Sequence, residues 1–106
     1  MVRLKEIYNL NGYKHEIVWR DESHAITKLT DDTSGKFVCY EAFQIQVRHS
    51  GHPNSKAEYP RETTPRDEMW GRKGYSVWTL EQAHIKIAKL KEKYANTKSQ
   101  RKRIAG

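Results

Sequence analysis

The sequence predicts an α+β fold, with an antiparallel meander sheet of four to five strands packed against one C-terminal helix and a long loop before the last strand. Three observations predict it. The first half of the chain alternates polar and apolar residues with a period of two, which is typical of strands. The last third spaces its apolar residues three and four apart, as a helix does. Between them, residues 49–74 lack periodicity and hold all three prolines.

The first two strands are predicted at 3–10 and 13–20, joined by a tight turn. Asn11 and Gly12 stand between two alternating runs, and this pair tolerates the positive φ that both central positions of a short hairpin turn require. Within the second strand, four residues share one face because side chains alternate along a strand. We expect this face to be buried; it consists of Tyr13, His15, Ile17 and Trp19.

The next two strands are predicted at about 24–30 and 36–48, the first weak and the second the longest of the chain. Glu41 interrupts an apolar face of the longer strand. Either this carboxylate has a partner, or a bulge near Tyr40 shifts the register. Cys39, the single cysteine, is predicted to be a small core residue, because reactive thiols need an electropositive and partly exposed setting.

The segment 49–74 is predicted to be a long loop, and loops above about 15 residues are usually functional or flexible. Tyr59 and Trp70 carry large rings, so we expect the loop to fold back on the sheet. His49 and His52 lack the further ligands that a zinc site needs, so no metal and no cofactor is predicted. The loop's carboxylates stand among basic residues, which is typical of a solvated surface; they are Glu58, Glu62, Asp67 and Glu68.

A short strand at 75–78 leads into a helix predicted to start at Thr79 and to end near residue 95. Thr79 and Gln82 have the spacing of a capping box. One stripe of the helix is apolar and a second, about a quarter to a third of a turn away, is basic, with Ile85 almost opposite the first. The apolar stripe contains Leu80, Ala83, Ile87, Leu90 and Tyr94, and the basic one contains Lys86, Lys89 and Lys93.

Length and hydropathy predict one domain at 1–95, followed by a basic, disordered tail at 96–106. A chain of 106 residues holds one hydrophobic core. Neither a signal peptide nor a membrane span is visible, because no apolar run reaches the required length. With one cysteine and no possible intrachain disulfide, the expected location is the cytoplasm.

The net charge of +7 lies at one end of the chain. Residues 1–83 carry twelve basic and twelve acidic side chains, whereas residues 84–106 carry eight basic and one acidic. Such a basic element predicts an anionic partner such as nucleic acid, a membrane surface or an acidic protein face. Of these we expect DNA or RNA, held by phosphate contacts. The plainer interpretation is that lysines near a helix end complement its dipole. The candidate residues are Lys86, Lys89, Lys93, Lys98, Arg101, Lys102 and Arg103.

Two other functions remain open. A protein-binding surface is predicted from the large or charged groups of the loop and from the outward residue of the helix, namely Tyr59, Trp70, Arg72 and Ile85. Tyr75, Trp78 and Trp70 could stack on bases, but the sequence favours a core position for them. A hydrolase that uses the loop histidines and carboxylates is the weakest hypothesis, and the protein is not expected to be an enzyme.

Part of the sequence resembles a group of small phage and prophage proteins. The resemblance covers about residues 38–90. It is carried by Tyr40-Glu41-Ala42-Phe43-Gln44-Ile45, then Glu58-Tyr59-Pro60, then Trp70-Gly71-x-x-Gly74-Tyr75, then Trp78-Thr79-Leu80-Glu81-x-Ala83. The link from Arg61 to Met69 is longer than is usual in that group. The resemblance implies a phage accessory protein in the host cytoplasm and assigns no site residues. The end of the chain also resembles, more loosely, the sheet and helix of integrase-arm DNA-binding domains.

Overall fold

The protein is a small α+β domain in which an antiparallel five-stranded sheet packs against one C-terminal helix, as predicted. The computed structural model describes residues 1–51, 53–54 and 58–105, with side chains as far as residue 93. In the large sheet the strand order is β1-β2-β3-β4-β7, and β5 and β6 form a separate pair. The elements are β1 (Ile7–Leu10), β2 (Tyr13–Arg20), β3 (His24–Asp31), β4 (Phe37–Gln44), β5 (Gln46–Arg48), β6 (Arg61–Thr63), a 3-10 helix (Asp67–Met69), β7 (Gly74–Val77) and α1 (Leu80–Ala105).

The predicted tight turn joins β1 to β2. Asn11 has a φ of 55° and Gly12 a φ of 83°, so both central residues adopt the left-handed conformation that the Asn-Gly pair favours. Leu10 pairs with Tyr13 directly across the turn. The first strand is shorter than predicted, because pairing with β2 begins only at Ile7.

A bulge at Val18 corrects the predicted face of β2. Ile17 pairs with Thr27 and Trp19 with Ile26, so Val18 is an extra residue with no partner. An extra residue reverses the direction of every side chain that follows it. Trp19 therefore packs with the cluster beneath the helix, and only His15 of the predicted face is fully buried.

The strand predicted to be weak, β3, is the central strand of the large sheet. His24, Ala25, Ile26 and Thr27 all have no exposed surface. A strand alternates polar and apolar residues when one of its faces is exposed to water, and a strand covered on both faces does not need to. Its weak alternation therefore reflects burial on both sides.

The prediction of a single long strand at 36–48 is wrong. Its first part, β4, ends at Gln44, which pairs with His24, the first residue of β3. The chain beyond Gln44 has no partner left on β3, so Gln46 pairs with Thr63 of β6 instead. A bulge lies at Val38, two residues before Tyr40, because Cys39 pairs with Leu29 and Phe37 with Thr30.

The predicted capping box begins α1. The Gln82 backbone N–H donates to Thr79 Oγ1 at 3.1 Å, and Gln82 Oε1 accepts from the Thr79 N–H at 3.3 Å. The helix backbone extends to Ala105, past residue 95 where the sequence pattern ended it. The predicted contribution of the tail side chains lies outside the described side chains and stays a prediction.

One stripe of α1 packs on the sheet. Ala83, Ile87 and Leu90 are buried, as predicted, and the first two share a cluster with Ile26 and Ala42. Leu80, expected in the same stripe, is exposed. The predicted position of Tyr94 lies outside the described side chains. The helix thus covers one face of the sheet.

The opposite face of the sheet is partly covered by the segment that contains β6 and the 3-10 helix. Phe43 packs there with Ala25, Ile45, Leu4 and Trp70. The two faces of β4 consequently differ, with Ala42 under the helix and Phe43 under the loop segment.

Glu62 corrects the prediction that the loop carboxylates form a solvated surface. Its side chain is 5% exposed and makes two hydrogen bonds with Arg20 of β2, at 2.8 and 2.9 Å. Glu62 Oε1 also accepts from the Leu4 backbone N–H at 2.9 Å. This carboxylate therefore joins β6, β2 and the N-terminal segment.

Candidate functional site

The predicted basic stripe lies along the flank of α1 that borders β7. Lys86 Nζ lies 4.7 Å from the centroid of the Tyr75 ring. Lys93 Nζ donates to Tyr75 Oη at 3.3 Å and lies 6.0 Å from the ring centroid. Lys89 is exposed, and its spacing of three and four residues from the other two puts it on the same flank. We call Lys86, Lys89, Lys93 and Tyr75 the basic flank.

An exposed tryptophan lies next to the basic flank in the sequence. Trp78 is 74% exposed, so the prediction of a core position is wrong for this residue. Pairing between β4 and β7 stops at Val77, and the Trp78 N–H already donates to Gln82 Oε1 at 3.2 Å. Trp78 is therefore at the junction between strand and helix, where no neighbouring strand covers it. Because Trp78 directly precedes the capping residue Thr79, the sequence already placed it at the end of the strand, and this could have predicted its exposure.

Lys91 differs from the lysines of the basic flank because it is engaged on the other side of the helix. It forms an ion pair with Asp21 and lies 5.4 Å from the Trp19 ring centroid. Burial opposes ionisation of Asp21, but Lys91 and the N–H groups of Ser23 and His24 outweigh it and lower its pKa to about 2. Lys91 thus stabilises the packing of α1 on β2.

The predicted protein-contact residues do not form one surface. Trp70 is half-buried, with its ring centroid 6.3 Å from that of Phe43, on the face opposite the helix. Ile85 is 60% exposed on the helix itself. Tyr59 is half-buried and Arg72 exposed, both in the loop segment. The side chains of Lys98, Arg101, Lys102 and Arg103 lie outside the described residues.

A cavity of about 400 Å³ opens on the sheet face opposite α1. At its floor His15 Nδ1 lies 3.4 Å from Glu41 Oε1, and the Tyr8 ring stacks on the imidazole with centroids 4.8 Å apart. We call this cavity the sheet pocket. Both sequence alternatives for Glu41 are present, since the carboxylate faces His15 and a bulge lies three residues before it, at Val38. The pocket is lined by Leu10, Asn11, Tyr13, His15, Leu29, Val38, Cys39, Glu41, Phe43, Thr64, Pro65, Asp67, Trp70 and Ser76.

Burial sets the ionisation of the groups around the sheet pocket. It raises the pKa of Glu41 to about 7 and lowers the pKa of His15, against smaller opposing effects of the Leu10 carbonyl and Asp32. Burial, together with Glu41, also raises the pKa of the Cys39 thiol and the pKa of Tyr8. At neutral pH the imidazole is neutral, the thiol is protonated and Glu41 is partly ionised. The sequence did not predict this pocket, although Glu41, a charged residue on an apolar strand face, indicated that something unusual lies there.

Replacement of Glu41 by glutamine is expected to stabilise the protein at high pH. The folded pKa of about 7 lies above the ordinary value of 4.5, so the folded state binds more protons between these values and the wild type loses stability as pH rises from 4.5 to 7. Glutamine has no charge to desolvate. The difference in free energy of unfolding should change by about 3 kcal/mol in favour of the variant between pH 4.5 and pH 8.

Urea denaturation at several pH values measures this difference. The matched control is Glu16→Gln, because Glu16 is exposed and neighbours His15 on the same strand, and it should show no such change with pH. A constant difference between Glu41→Gln and the wild type at all pH values would contradict the prediction.

In the described part of the chain, no group of three or more His, Cys, Asp or Glu residues could hold a metal ion. His52 lies outside the described residues, so the loop histidine pair stays untested. No helix described here is long and apolar enough to cross a membrane.

Comparison of the chain with protein-family profiles, curated proteins and solved structures found no match. The resemblance to phage and prophage proteins therefore stays a prediction.

Proposed function

We propose that the protein is a small phage-type accessory protein that binds nucleic acid through the basic flank of α1. The observation that carries the proposal is the convergence of Lys86 and Lys93 on the Tyr75 ring, at the edge strand of the sheet. Lys89 adds a third ammonium group on the same flank. We expect Lys98, Arg101, Lys102 and Arg103 to extend this surface along the chain.

The chemistry of these groups suits a polyanion with exposed bases. Ammonium groups neutralise phosphates and release counterions, which supplies most of the affinity of sequence-independent binding. Aromatic rings near a basic groove stack on the bases of single strands. The exposed Trp78 provides such a ring at the start of α1, three residues after Tyr75 of the basic flank. We therefore expect single strands to bind more tightly than duplexes.

The helix dipole gives a weaker account of the basic flank. The dipole stabilises cations only within the last turn of a helix. Because α1 extends to Ala105, Lys86, Lys89 and Lys93 all lie more than two turns from its end. The helix dipole therefore does not account for these three lysines. This favours the hypothesis that they bind an external anion.

A salt titration of nucleic-acid binding tests the proposal. A labelled 20-nucleotide single strand should bind at 50 mM salt and lose about twentyfold in affinity at 200 mM salt if three lysines contact phosphates. Fluorescence anisotropy gives both values, and deletion of residues 97–106 should make the salt dependence shallower. Absence of binding to both DNA and RNA at 50 mM salt would contradict the proposal.

The alternative is an inhibitor or adaptor that binds a host protein through the loop 49–74. It is favoured by the folded backbone within that loop, which contains β6 and the 3-10 helix. Glu62 attaches β6 to the sheet, and Trp70, next to the 3-10 helix, packs on Phe43. Pull-down from host lysate after nuclease treatment separates the two functions. A protein retained after nuclease treatment supports the alternative, and loss of every partner supports nucleic-acid binding.

A further inference from the structure

Two hydrogen-bond acceptors face each other at the floor of the sheet pocket. His15 Nε2 lies 3.4 Å from the Leu10 carbonyl oxygen, which can only accept. The neutral ring therefore carries its proton on Nε2, which leaves Nδ1 as an acceptor. Among the described residues Nδ1 has no hydrogen-bond partner, although the His15 side chain is only 6% exposed. Its neighbour at 3.4 Å is Glu41 Oε1, a second acceptor when the carboxyl group is ionised.

The described groups that surround these two acceptors supply no cation. Among the described residues that line the pocket, Glu41 and Asp67 are charged, and none is a lysine or an arginine. From the neighbouring strands, Tyr8 and Cys39 face the pair as neutral groups. Asp32 also acts on His15, from the turn after β3. The pocket thus combines negative charge with an unsatisfied buried nitrogen.

The walls of the pocket combine aromatic and aliphatic side chains with the polar residues Asn11, Thr64, Asp67 and Ser76. Tyr13, Phe43 and Trp70 contribute rings, and Leu10, Leu29 and Pro65 contribute aliphatic surface. A volume of about 400 Å³ is within the range of small-molecule sites. Aromatic rings attract ammonium groups through their electron-rich faces.

We propose that the sheet pocket binds a small organic cation, a primary amine on an apolar body, whose ammonium group donates to Glu41 Oε1 and His15 Nδ1. An ammonium group has three donors and no acceptor, which matches a pair of acceptors that the described chain leaves without a donor. The apolar body lies against the rings of the wall. This site is on the sheet face opposite α1, so it is independent of the basic flank.

A ligand of another kind fits these groups less well. An anion would meet Glu41 and Asp67, which repel it. A metal ion would find two donor atoms at the floor, fewer than the three or four protein ligands of its usual sites. A neutral ligand would leave the desolvated carboxylate uncompensated.

Benzylamine and benzyl alcohol are suitable probes because they share a shape and differ in charge. Each is titrated into the labelled protein at pH 8, where Glu41 is ionised, and followed by the NMR signals of the His15 imidazole and the Trp70 indole. Benzylamine should shift both signals and bind at least tenfold more tightly than benzyl alcohol. Equal affinities, shifts confined to other residues, or no binding at 10 mM benzylamine would each overturn the proposal.

Two further measurements, on a variant and at a second pH, test whether the Glu41 carboxylate causes the preference for benzylamine over benzyl alcohol. Glu41→Gln should bring the affinity for benzylamine down to that for benzyl alcohol, whereas the control Glu16→Gln should bind as the wild type does. The wild type should lose at least fivefold in affinity for benzylamine between pH 8 and pH 5.5, because Glu41 becomes protonated. This second measurement needs no variant, and an unchanged affinity at pH 5.5 would also overturn the proposal.

Discussion

Glu62→Ala is expected to destabilise the fold by about 3 kcal/mol, because it leaves the Arg20 guanidinium buried without its partner. Arg20 Nη1 and Nη2 donate to the two oxygens of Glu62 at 2.8 and 2.9 Å. The same carboxylate accepts from the Leu4 N–H. Loss of one side chain thus breaks three hydrogen bonds between three parts of the chain.

The melting temperature measures this loss. A change of 1 kcal/mol shifts the midpoint of a domain of this size by roughly 4 to 8 °C, so a decrease of about 12 to 24 °C is expected. Arg20 lowers the pKa of Glu62. The stability that this pair contributes is therefore present above the ordinary carboxyl pKa and is lost as pH falls.

Glu22→Ala is the matched control. Glu22 also accepts two hydrogen bonds from one arginine, Arg3, at 2.9 Å, but its side chain is 83% exposed. Exposed ion pairs contribute little because water and salt screen them. The control should melt within about 2 °C of the wild type. Equal decreases for the two variants would show that burial of the Glu62 pair has no special effect.

The parts of the fold that the sequence predicts well are those that neighbouring residues determine. The turn at Asn11 and Gly12 depends on the φ preference of two residues. The start of α1 depends on a hydrogen-bond exchange between Thr79 and Gln82. Both can be recognised without knowledge of any distant contact.

The parts that sequence reasoning missed depend on partners far along the chain. Whether 36–48 is one strand is determined by where β3 begins, since β4 ends opposite His24. The bulge at Val18 likewise exists only relative to β3. No local pattern carries this information, because strand pairing is a property of two segments.

The two candidate sites differ in the same way. The basic flank could be predicted because helical periodicity alone brings Lys86, Lys89 and Lys93 together. The sheet pocket could not, because His15 and Glu41 are 26 positions apart in the chain and meet through the pairing of β2, β3 and β4. Glu41 was recognised as an exception in the sequence, but its neighbour was not.

Substitution of all three lysines of the basic flank by glutamine is expected to weaken single-strand binding roughly 100-fold at 50 mM salt. The slope of log affinity against log salt concentration should become shallower by about 2, since each lysine that contacts a phosphate contributes about 0.7. Folding should be unaffected, because Lys89 and Lys93 are exposed and Lys86 is half-buried over Tyr75. Anisotropy titrations at four salt concentrations give the affinity and the slope.

A second triple variant with the same change in net charge is the matched control. It shows whether the loss of binding depends on the position of the lysines or on the net charge of the protein. Lys5, Lys14 and Lys36 are exposed and lie outside α1 and β7. Their replacement by glutamine should weaken binding less than about threefold, because charges more than a Debye length from the phosphates are largely screened. Equal losses for the two variants would mean that the affinity reflects total charge, and the basic flank would then be rejected as the binding surface.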